Sequence, residues 1–206
     1  IGDAALESEA AADQAALDAL SARDRFQLLT PLQRGPFGVA ALNAAVEKAL
    51  AARIEGMAAR HESEHWYAGR PVIVLQNDHS LGLMNGDMGL CVARPVEAAE
   101  GSQDSALFVV FPAPPGSDRR VRWLLPSRLP RCATAWAMTV HKAQGSEFDH
   151  AALVLPDRES PVLTRELVYT AATRARDRFS LVIGEQAVFE AAVMRRIERT
   201  SRLFAR

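Results

Sequence analysis

Polar side chains are concentrated in one short segment of the sequence, residues 139–149, which reads TVHKAQGSEFD. A hydroxyl, an imidazole, an ammonium and an amide lie within six residues there, from Thr139, His141, Lys142 and Gln144. Groups of these kinds bind phosphate oxygens or the backbone of single-stranded DNA. Such a segment is either a functional surface or a turn whose polar groups are satisfied internally. The residues alone leave both interpretations open.

A second segment, LVYTAATRAR at residues 167–176, carries two arginines. An arginine fork can hold two phosphate oxygens at once, which a lysine cannot do. The pattern predicts a helix over residues 165–176, with Thr164 as its N-cap. On that helix Arg174 and Arg176 would lie about 200° apart, so one could face a γ-phosphate while the other pairs elsewhere.

Two motifs suggest metal or disulfide chemistry and are better explained otherwise. His61 and His65 are the first and last residues of the segment HESEH, which matches the zinc-binding H-E-x-x-H pattern. That chemistry needs the motif inside a helix with a third ligand nearby, whereas WYAGRP at residues 66–71 ends a helix. Cys91 and Cys132 lack the spacing of a disulfide framework or a zinc knuckle. We therefore expect a solvated helix end at HESEH and no metal site.

Several enzyme classes are excluded by missing motifs. The lysines, Lys48 and Lys142, do not follow a glycine, so no G-x-x-x-x-G-K-[ST] loop is present to bind a triphosphate. No G-x-S-x-G nucleophile elbow occurs either. The formal net charge of −1 argues neither for nor against a nucleic acid partner. An enzyme that works alone is not predicted.

The elements that must position these segments follow an α/β pattern. A hydrophobic fraction of 49% and a charged fraction of 24% are typical of a globular protein. Hydrophobic patterning predicts helices at residues 4–22, 39–59, 165–176 and 185–199, and strands at residues 26–30, 151–155 and 179–183. Between residues 69 and 130, short strands at 71–75, 89–92, 106–111 and 120–124 alternate with turns, the strongest being Asn85-Gly86-Asp87. We expect a small all-β unit inserted in a parallel-sheet domain.

The ends of the chain and its hydropathy suggest a location. No apolar run approaches the length of about 18 residues that spans a membrane, and no signal pattern opens the chain. We therefore expect a cytoplasmic protein with no membrane partner. The sequence begins at Ile1 without an initiating methionine and in mid-pattern, so we also expect a fragment of a longer protein.

Five segments resemble, in order, those of one helicase family. TVHKAQGSEFDH resembles motif V and LVYTAATRAR resembles motif VI of superfamily 1 helicases. The residues of these two motifs are most similar to those of the RecD type, that of the exodeoxyribonuclease V alpha subunit. FQLLTPLQRGPFGVAALN resembles the motif IV region of that family, while HWYAGRPVIVLQND and LGLMNGDMGL resemble parts of its inserted β unit. Together the resemblance covers about residues 25–185.

This resemblance implies a fold and a division of the chain. The fold would be the RecA-like second motor domain of a P-loop NTPase-type translocase, lacking its own P-loop, with an inserted small SH3-like β-barrel. Residues 1–68 would form the first part of the motor domain, residues 69–130 the barrel, and residues 131–206 the remainder with motifs V and VI.

The resemblance also implies roles for individual residues. Arg174 would be the arginine finger that reaches the γ-phosphate, and Gly145 and Glu147 would lie near the nucleotide. The DNA contacts would be Thr139, His141, Lys142 and Gln144. Arg34 is the nearest candidate for the nucleotide contact that related helicases place in motif IV, and it is equally well explained as a loop residue.

The function implied is that of a 5′-to-3′ DNA helicase subunit acting in double-strand-break repair and recombination. ATP and Mg²⁺ would be bound by the full-length parent, mainly through an N-terminal motor domain outside this chain. Further partners would be single-stranded DNA and nuclease-bearing or helicase subunits of the RecB and RecC types. The fragment alone would not hydrolyse ATP. The alternative is a stand-alone DNA-binding or scaffold module that has kept a motor-derived fold.

Overall fold

A computed structural model describes residues 2–53, 66–97 and 103–196. The HESEH motif and the last ten residues, 197–206, lie outside these described residues. In chain order the elements are α1 (Gly2–Arg23), β1 (Phe26–Thr30), α2 (Val39–Ala51), β2 (Pro71–Val74), β3 (Met88–Glu97), β4 (Gln103–Pro112), β5 (Val121–Leu124), β6 (Cys132–Thr134), β7 (Ala137–Thr139), β8 (Phe148–Val154), α3 (Arg165–Ala172), β9 (Ala175–Val182) and α4 (Gln186–Met194).

The chain forms two compact units. The parallel unit comprises residues 26–42 and 137–206, and the antiparallel unit comprises residues 1–25 and 43–136. These divisions differ from those expected at residues 68 and 130. In particular, α1 packs within the antiparallel unit, where its Ala16 and Leu20 lie in one buried cluster with Val110 and Val121.

The parallel unit contains a four-stranded sheet in the order β7-β1-β8-β9, in which every neighbouring pair is parallel. Leu29 and Leu153 are fully buried at its centre, as expected where both faces of a parallel sheet are covered. The strands predicted at residues 26–30, 151–155 and 179–183 are confirmed in position, and β8 and β9 are joined by α3. The α/β class with a parallel sheet is therefore confirmed.

The parallel direction gives this sheet two distinct edges. All four strands end at one edge, here called the carboxyl edge, and all four begin at the other, here called the amino edge. In open α/β sheets, loops at the carboxyl ends of strands are the usual place for ligands. Two connections run from the carboxyl edge to the amino edge: residues 140–147, which lead from β7 to β8, and α3 with the loop before it.

The antiparallel unit contains a five-stranded sheet in the order β5-β4-β3-β2-β6. Its core is built from alternating apolar residues such as Val72, Val74 and Val109, all fully buried. The turn predicted at Asn85-Gly86-Asp87 is present, with Gly86 at φ 103°. Among the described residues β5 and β6 are the two outermost strands and do not pair with each other. The sheet is therefore not closed, and this topology does not establish an SH3-like barrel.

Three sequence predictions are wrong in detail. The helix predicted over residues 165–176 ends at Ala172, and Arg176 lies in β9 rather than on a helix, because the β9 strand pairs with β8 from Ala175 onward. The helix predicted over residues 185–199 ends at Met194. Neither β6 nor β7 was predicted, since three residues are too few to show a strand pattern.

No helix among residues 2–53, 66–97 and 103–196 is both long enough and apolar enough to cross a membrane.

Candidate nucleotide and nucleic-acid interface

Arg174 lies at the amino edge, in the turn between α3 and β9. Its backbone is fixed, because its carbonyl accepts a 2.8 Å hydrogen bond from the amide of the buried Phe148. Its guanidinium donates from Nη1 to the Ser146 carbonyl at 3.0 Å, from Nε to the Thr170 carbonyl at 3.2 Å and from Nη2 to Thr173 Oγ1 at 3.3 Å. All three acceptors are neutral, and no carboxylate of the described residues forms an ion pair with Arg174.

Arg176, two residues further on, has a different environment. Its Nε lies 3.2 Å from Glu147 Oε2, and its Nη1 lies 3.7 Å from Asp149 Oδ1. These three side chains are about half exposed. Among the described residues, Arg174 forms no such ion pair. The two arginines therefore have different partners, as expected. The reason differs from the one expected, because Arg174 lies in a turn and Arg176 in β9, and not on one helix.

The connection from β7 to β8 carries the polar segment singled out in the sequence. It begins with a helical turn in which the amides of Lys142 and Ala143 donate to the Thr139 carbonyl at 3.0 and 3.1 Å. Thr139 is buried, and its Oγ1 accepts from the Lys142 amide at 3.3 Å, so this hydroxyl fixes the turn. Gly145 then adopts φ 90°, a conformation that favours glycine and that turns the chain toward β8.

The other predicted DNA contacts lie on the outer side of this turn. His141 and Gln144 are exposed, whereas Ala143 between them is fully buried. Lys142 is partly covered, and this burial lowers the pKa of its ammonium group. A partly desolvated cation binds an anion more readily than a fully hydrated one, because less water must be displaced.

A cavity of about 410 Å³ opens beside this turn at the carboxyl edge. His141 and Gln144 line one side of the cavity. Its lining also includes Val162, from the loop before α3, and Glu166 and Thr170, from α3 itself. Sequence reasoning did not find the last three residues, since they come from segments distant in sequence. The one signal pointing to this place was Thr164, the predicted N-cap of α3, whose Oγ1 accepts from the Leu167 amide at 3.3 Å.

Arg34 lies in the loop after β1, at the carboxyl edge, where it is exposed. Gly38 closes this loop, and a Cβ atom there would lie 2.5 Å from the Arg34 backbone. The structure thus brings Glu147 and Arg174 to the amino edge, His141 and Gln144 to the carboxyl edge, and does not bring Arg34 to Arg174.

No cluster of three or more His, Cys, Asp or Glu side chains within residues 2–53, 66–97 and 103–196 could hold a metal ion. Cys91 and Cys132 are free thiols, and burial raises the pKa of each. Neither has the depressed pKa that activates a cysteine nucleophile.

Comparison with known proteins shows which sequences this chain resembles. Residues 134–182, which include β7, β8, α3 and β9, match the model of the UvrD-like helicase C-terminal domain. The RecBCD enzyme subunit RecD of Haemophilus influenzae is 34% identical over 86% of this chain, and that of Mycolicibacterium smegmatis is 36% identical over 90%. The ATP-dependent RecD2 DNA helicase of Deinococcus radiodurans is 37% identical over 87%.

The chain spans only part of each of these relatives, namely 24%, 30% and 23% of their respective lengths. Among solved structures, the Pif1 helicase of Candida albicans aligns with 80% of this chain and 46% of its own, at 15% identity and a TM-score of 0.48. That likeness is too weak to carry an argument about function. By sequence the chain belongs to the RecD family, of whose members it covers one part, and its residues 134–182 match the UvrD-like helicase C-terminal domain.

Proposed function

We propose that this chain is the second motor domain of an ATP-dependent, 5′-to-3′ DNA helicase subunit that acts in double-strand-break repair and recombination. In this proposal Arg174 is the arginine finger at the amino edge, and the carboxyl edge contacts single-stranded DNA. The chain itself would not hydrolyse ATP, because it lacks a phosphate-binding loop.

The observation that carries the proposal is the state of the Arg174 guanidinium. It is positioned by three neutral oxygen atoms and forms no ion pair among the described residues. A phosphate oxygen can replace a carbonyl as acceptor, and its negative charge then adds a Coulomb attraction to the guanidinium that a neutral carbonyl does not supply. Had Arg174 been paired like Arg176, a phosphate would first have to displace a carboxylate.

ATP, bound mainly by an N-terminal motor domain of the parent together with Mg²⁺, would supply the phosphoryl group that is transferred. The donor chemistry of this chain fits that partner at one point. Arg174 would hold oxygens of the γ-phosphate as negative charge spreads over them, which is the role of an arginine finger. The planar fork of arginine suits this role better than the point charge of lysine.

Two further residues belong to the nucleotide side of the proposal. Glu147 directly precedes β8 at the amino edge, and its carboxylate could accept hydrogen bonds from ribose hydroxyls after leaving Arg176. Gly145 gives the chain the turn that brings Glu147 there. Because Arg34 lies at the carboxyl edge, we do not give it a role beside Arg174 at the γ-phosphate.

The DNA side of the proposal is the turn after β7. His141 and Gln144 are exposed there and can reach a strand, and Lys142 supplies a positive charge for a backbone phosphate. Thr139 would act through the turn that its hydroxyl fixes. The relatives named as RecBCD subunits support RecB- and RecC-type partners for the parent.

The proposal is tested by single-stranded-DNA-stimulated ATP turnover of the longer polypeptide that carries this chain. We expect Arg174→Ala to lower turnover by about 10³, the lower end of what an arginine finger contributes, while nucleotide binding is retained. The isolated chain should show no turnover.

Arg178→Ala is the matched control, since Arg178 is an exposed arginine four residues further along the same segment. Normal turnover by Arg174→Ala would remove the arginine-finger assignment. ATP hydrolysis by the isolated chain would contradict the proposal that this chain needs another domain to bind and hydrolyse ATP. A parent without a phosphate-binding loop would favour the stand-alone DNA-binding module instead.

A further inference from the structure

The cavity at the carboxyl edge has the size and lining of a small-ligand site. Its volume of about 410 Å³ falls within the range of about 300–1,000 Å³ typical of such sites. Its walls combine four apolar residues, among them Pro161, Val162 and Leu167, with five polar ones. Apolar surface beside polar groups is what a flat, partly polar molecule needs.

The polar groups of the cavity indicate which molecule fits. His141 offers a planar ring on which another ring can stack, and Gln144 offers both a donor and an acceptor. Glu166 offers acceptors, and its carboxylate repels phosphate. A nucleobase satisfies all three groups at once, because it has a flat face and an edge with donors and acceptors.

We propose that this cavity receives one unstacked base of the bound single strand, next to the turn that contacts its backbone. This proposal rests on the proposed function, since it assumes that single-stranded DNA lies on the carboxyl edge. The base would enter between Val162 and His141 and direct its polar edge toward Gln144 and Glu166. The phosphates would stay outside, on the side of Lys142, which does not line the cavity.

The wall formed by the loop before α3 is held in a fixed shape. Arg195 donates from Nη1 to the Ser160 carbonyl at 2.7 Å, and its Nη2 pairs with Glu159 at 2.7 Å. Its own carbonyl accepts from the Arg165 amide at 2.9 Å. A cavity held open in this way needs little reorganisation to accept a base, which favours binding.

Glu166 also predicts a preference among bases. A carboxylate accepts a hydrogen bond from the exocyclic amino group of cytosine, which thymine lacks. Unpaired thymine offers only its N3–H donor, which lies between two carbonyl oxygens that repel a carboxylate. At the single position that occupies the cavity, cytosine should therefore bind more tightly than thymine. Glu166→Gln, which keeps the shape but can donate as well as accept, should remove this preference.

The test is a scan with a single abasic site. The 206-residue chain is titrated, with fluorescence anisotropy as the readout, against the shortest oligo(dT) that retains full affinity, so that one binding register dominates. An abasic site is then moved through this oligonucleotide one position at a time. We expect one position at which the affinity falls by at least about fivefold, the lower end of what stacking one base contributes.

Variants that fill the cavity make the scan decisive. Val162→Trp should weaken binding of the intact strand and abolish the sensitive position. Val182→Trp is the matched control, because Val182 is 50% exposed, as against 43% for Val162, and does not line the cavity. If Val162→Trp does not fold, the isosteric change Glu166→Gln provides the test. This variant should keep the sensitive position and lose the preference for cytosine over thymine at that position.

The two proposals fail in distinguishable ways. A flat scan with normal strand affinity would overturn the base site and leave the proposed function standing. A sensitive position that survives Val162→Trp would also overturn the base site, since the base would then be bound elsewhere. Absence of single-strand binding by both this chain and the longer polypeptide that carries it would contradict the proposed function itself.

Discussion

The two edges of the parallel sheet present different chemical groups. The amino edge presents Arg174, a positive charge positioned by three neutral oxygens, beside the exposed pair of Arg176 and Glu147. The carboxyl edge presents a cavity of about 410 Å³ whose walls combine apolar and polar side chains. A charge held without compensation suits a compact anion, whereas a cavity with mixed walls suits a flat organic group. In our two proposals the same sheet therefore carries a phosphate site at one end and a base site at the other.

The edges are nevertheless connected by shared residues. Thr170 lines the cavity, and its carbonyl accepts from Arg174 Nε at 3.2 Å. Gln144 lines the cavity as well, and two residues further on the Ser146 carbonyl accepts from Arg174 Nη1. Both connections that cross from one edge to the other thus touch the cavity at one end and Arg174 at the other. Under the proposed function, the coupling between strand and nucleotide would pass through α3 and residues 140–147.

Replacing Arg174 by lysine gives the largest effect expected from a single change that keeps the charge. Lysine retains a positive charge but cannot hold the Ser146 and Thr170 carbonyls and a phosphate with one planar group. We expect turnover by the longer polypeptide to fall by roughly 10- to 100-fold, less than for alanine. Steady-state ATPase assays measure this directly.

The same variant separates the edges. If they are distinct sites, Arg174→Lys should leave the affinity of the isolated chain for single-stranded DNA within about twofold of the wild type, because Arg174 does not line the cavity. A comparable loss of strand affinity would mean that Arg174 contacts DNA and that the division between edges is wrong.

Much of this arrangement was predictable from the sequence, because it depends on local patterns. The runs FQLLT and AALVL are apolar and short, as buried strands of a parallel sheet are, and both form such strands. Thr164 was recognised as an N-cap from its type and place. The polar residues after β7 were found because polar segments next to apolar runs are uncommon within a core.

What the sequence could not predict depends on contacts between distant segments. Nothing in LVYTAATRAR breaks a helix, yet α3 ends at Ala172 because Phe148 and the rest of β8 pair with the following residues. The cavity likewise needs residues 140–144 and 161–170 to meet, which no local pattern encodes. α1 has weak amphipathicity, and only tertiary packing reveals that it covers the antiparallel sheet through Ala16 and Leu20.

Thr164→Ala tests the carboxyl edge with an intermediate effect. The buried Thr164 accepts from the Leu167 amide and begins α3, so its loss should lower the free energy of unfolding by about 1 kcal/mol. Thr164→Ser keeps the capping oxygen and should lose clearly less. Urea denaturation followed by circular dichroism measures both variants. Equal losses for alanine and serine would show that the methyl group, and not the cap, is what stabilises this end of the helix.

The smallest effect is expected at the amino edge, from the pair of Arg176 and Glu147. Both side chains are more than half exposed, so the coupling between them should be at most about 1 kcal/mol in a double-mutant cycle with Arg176→Gln and Glu147→Gln. Since exposed charges are screened, this coupling should shrink further between 0.05 and 1 M salt, where the Debye length falls to about 3 Å. Denaturant titrations of the four proteins at both salt concentrations give the value.

This weak coupling is what allows Glu147 to leave Arg176 for a ribose, as the proposed function requires. A coupling well above 1 kcal/mol that resists salt would mean that Glu147 is held by Arg176 as firmly as a buried partner. The Glu147 carboxylate would then have a structural role at the amino edge. Among the described residues of that edge, Arg174 would be the one group still available to a nucleotide.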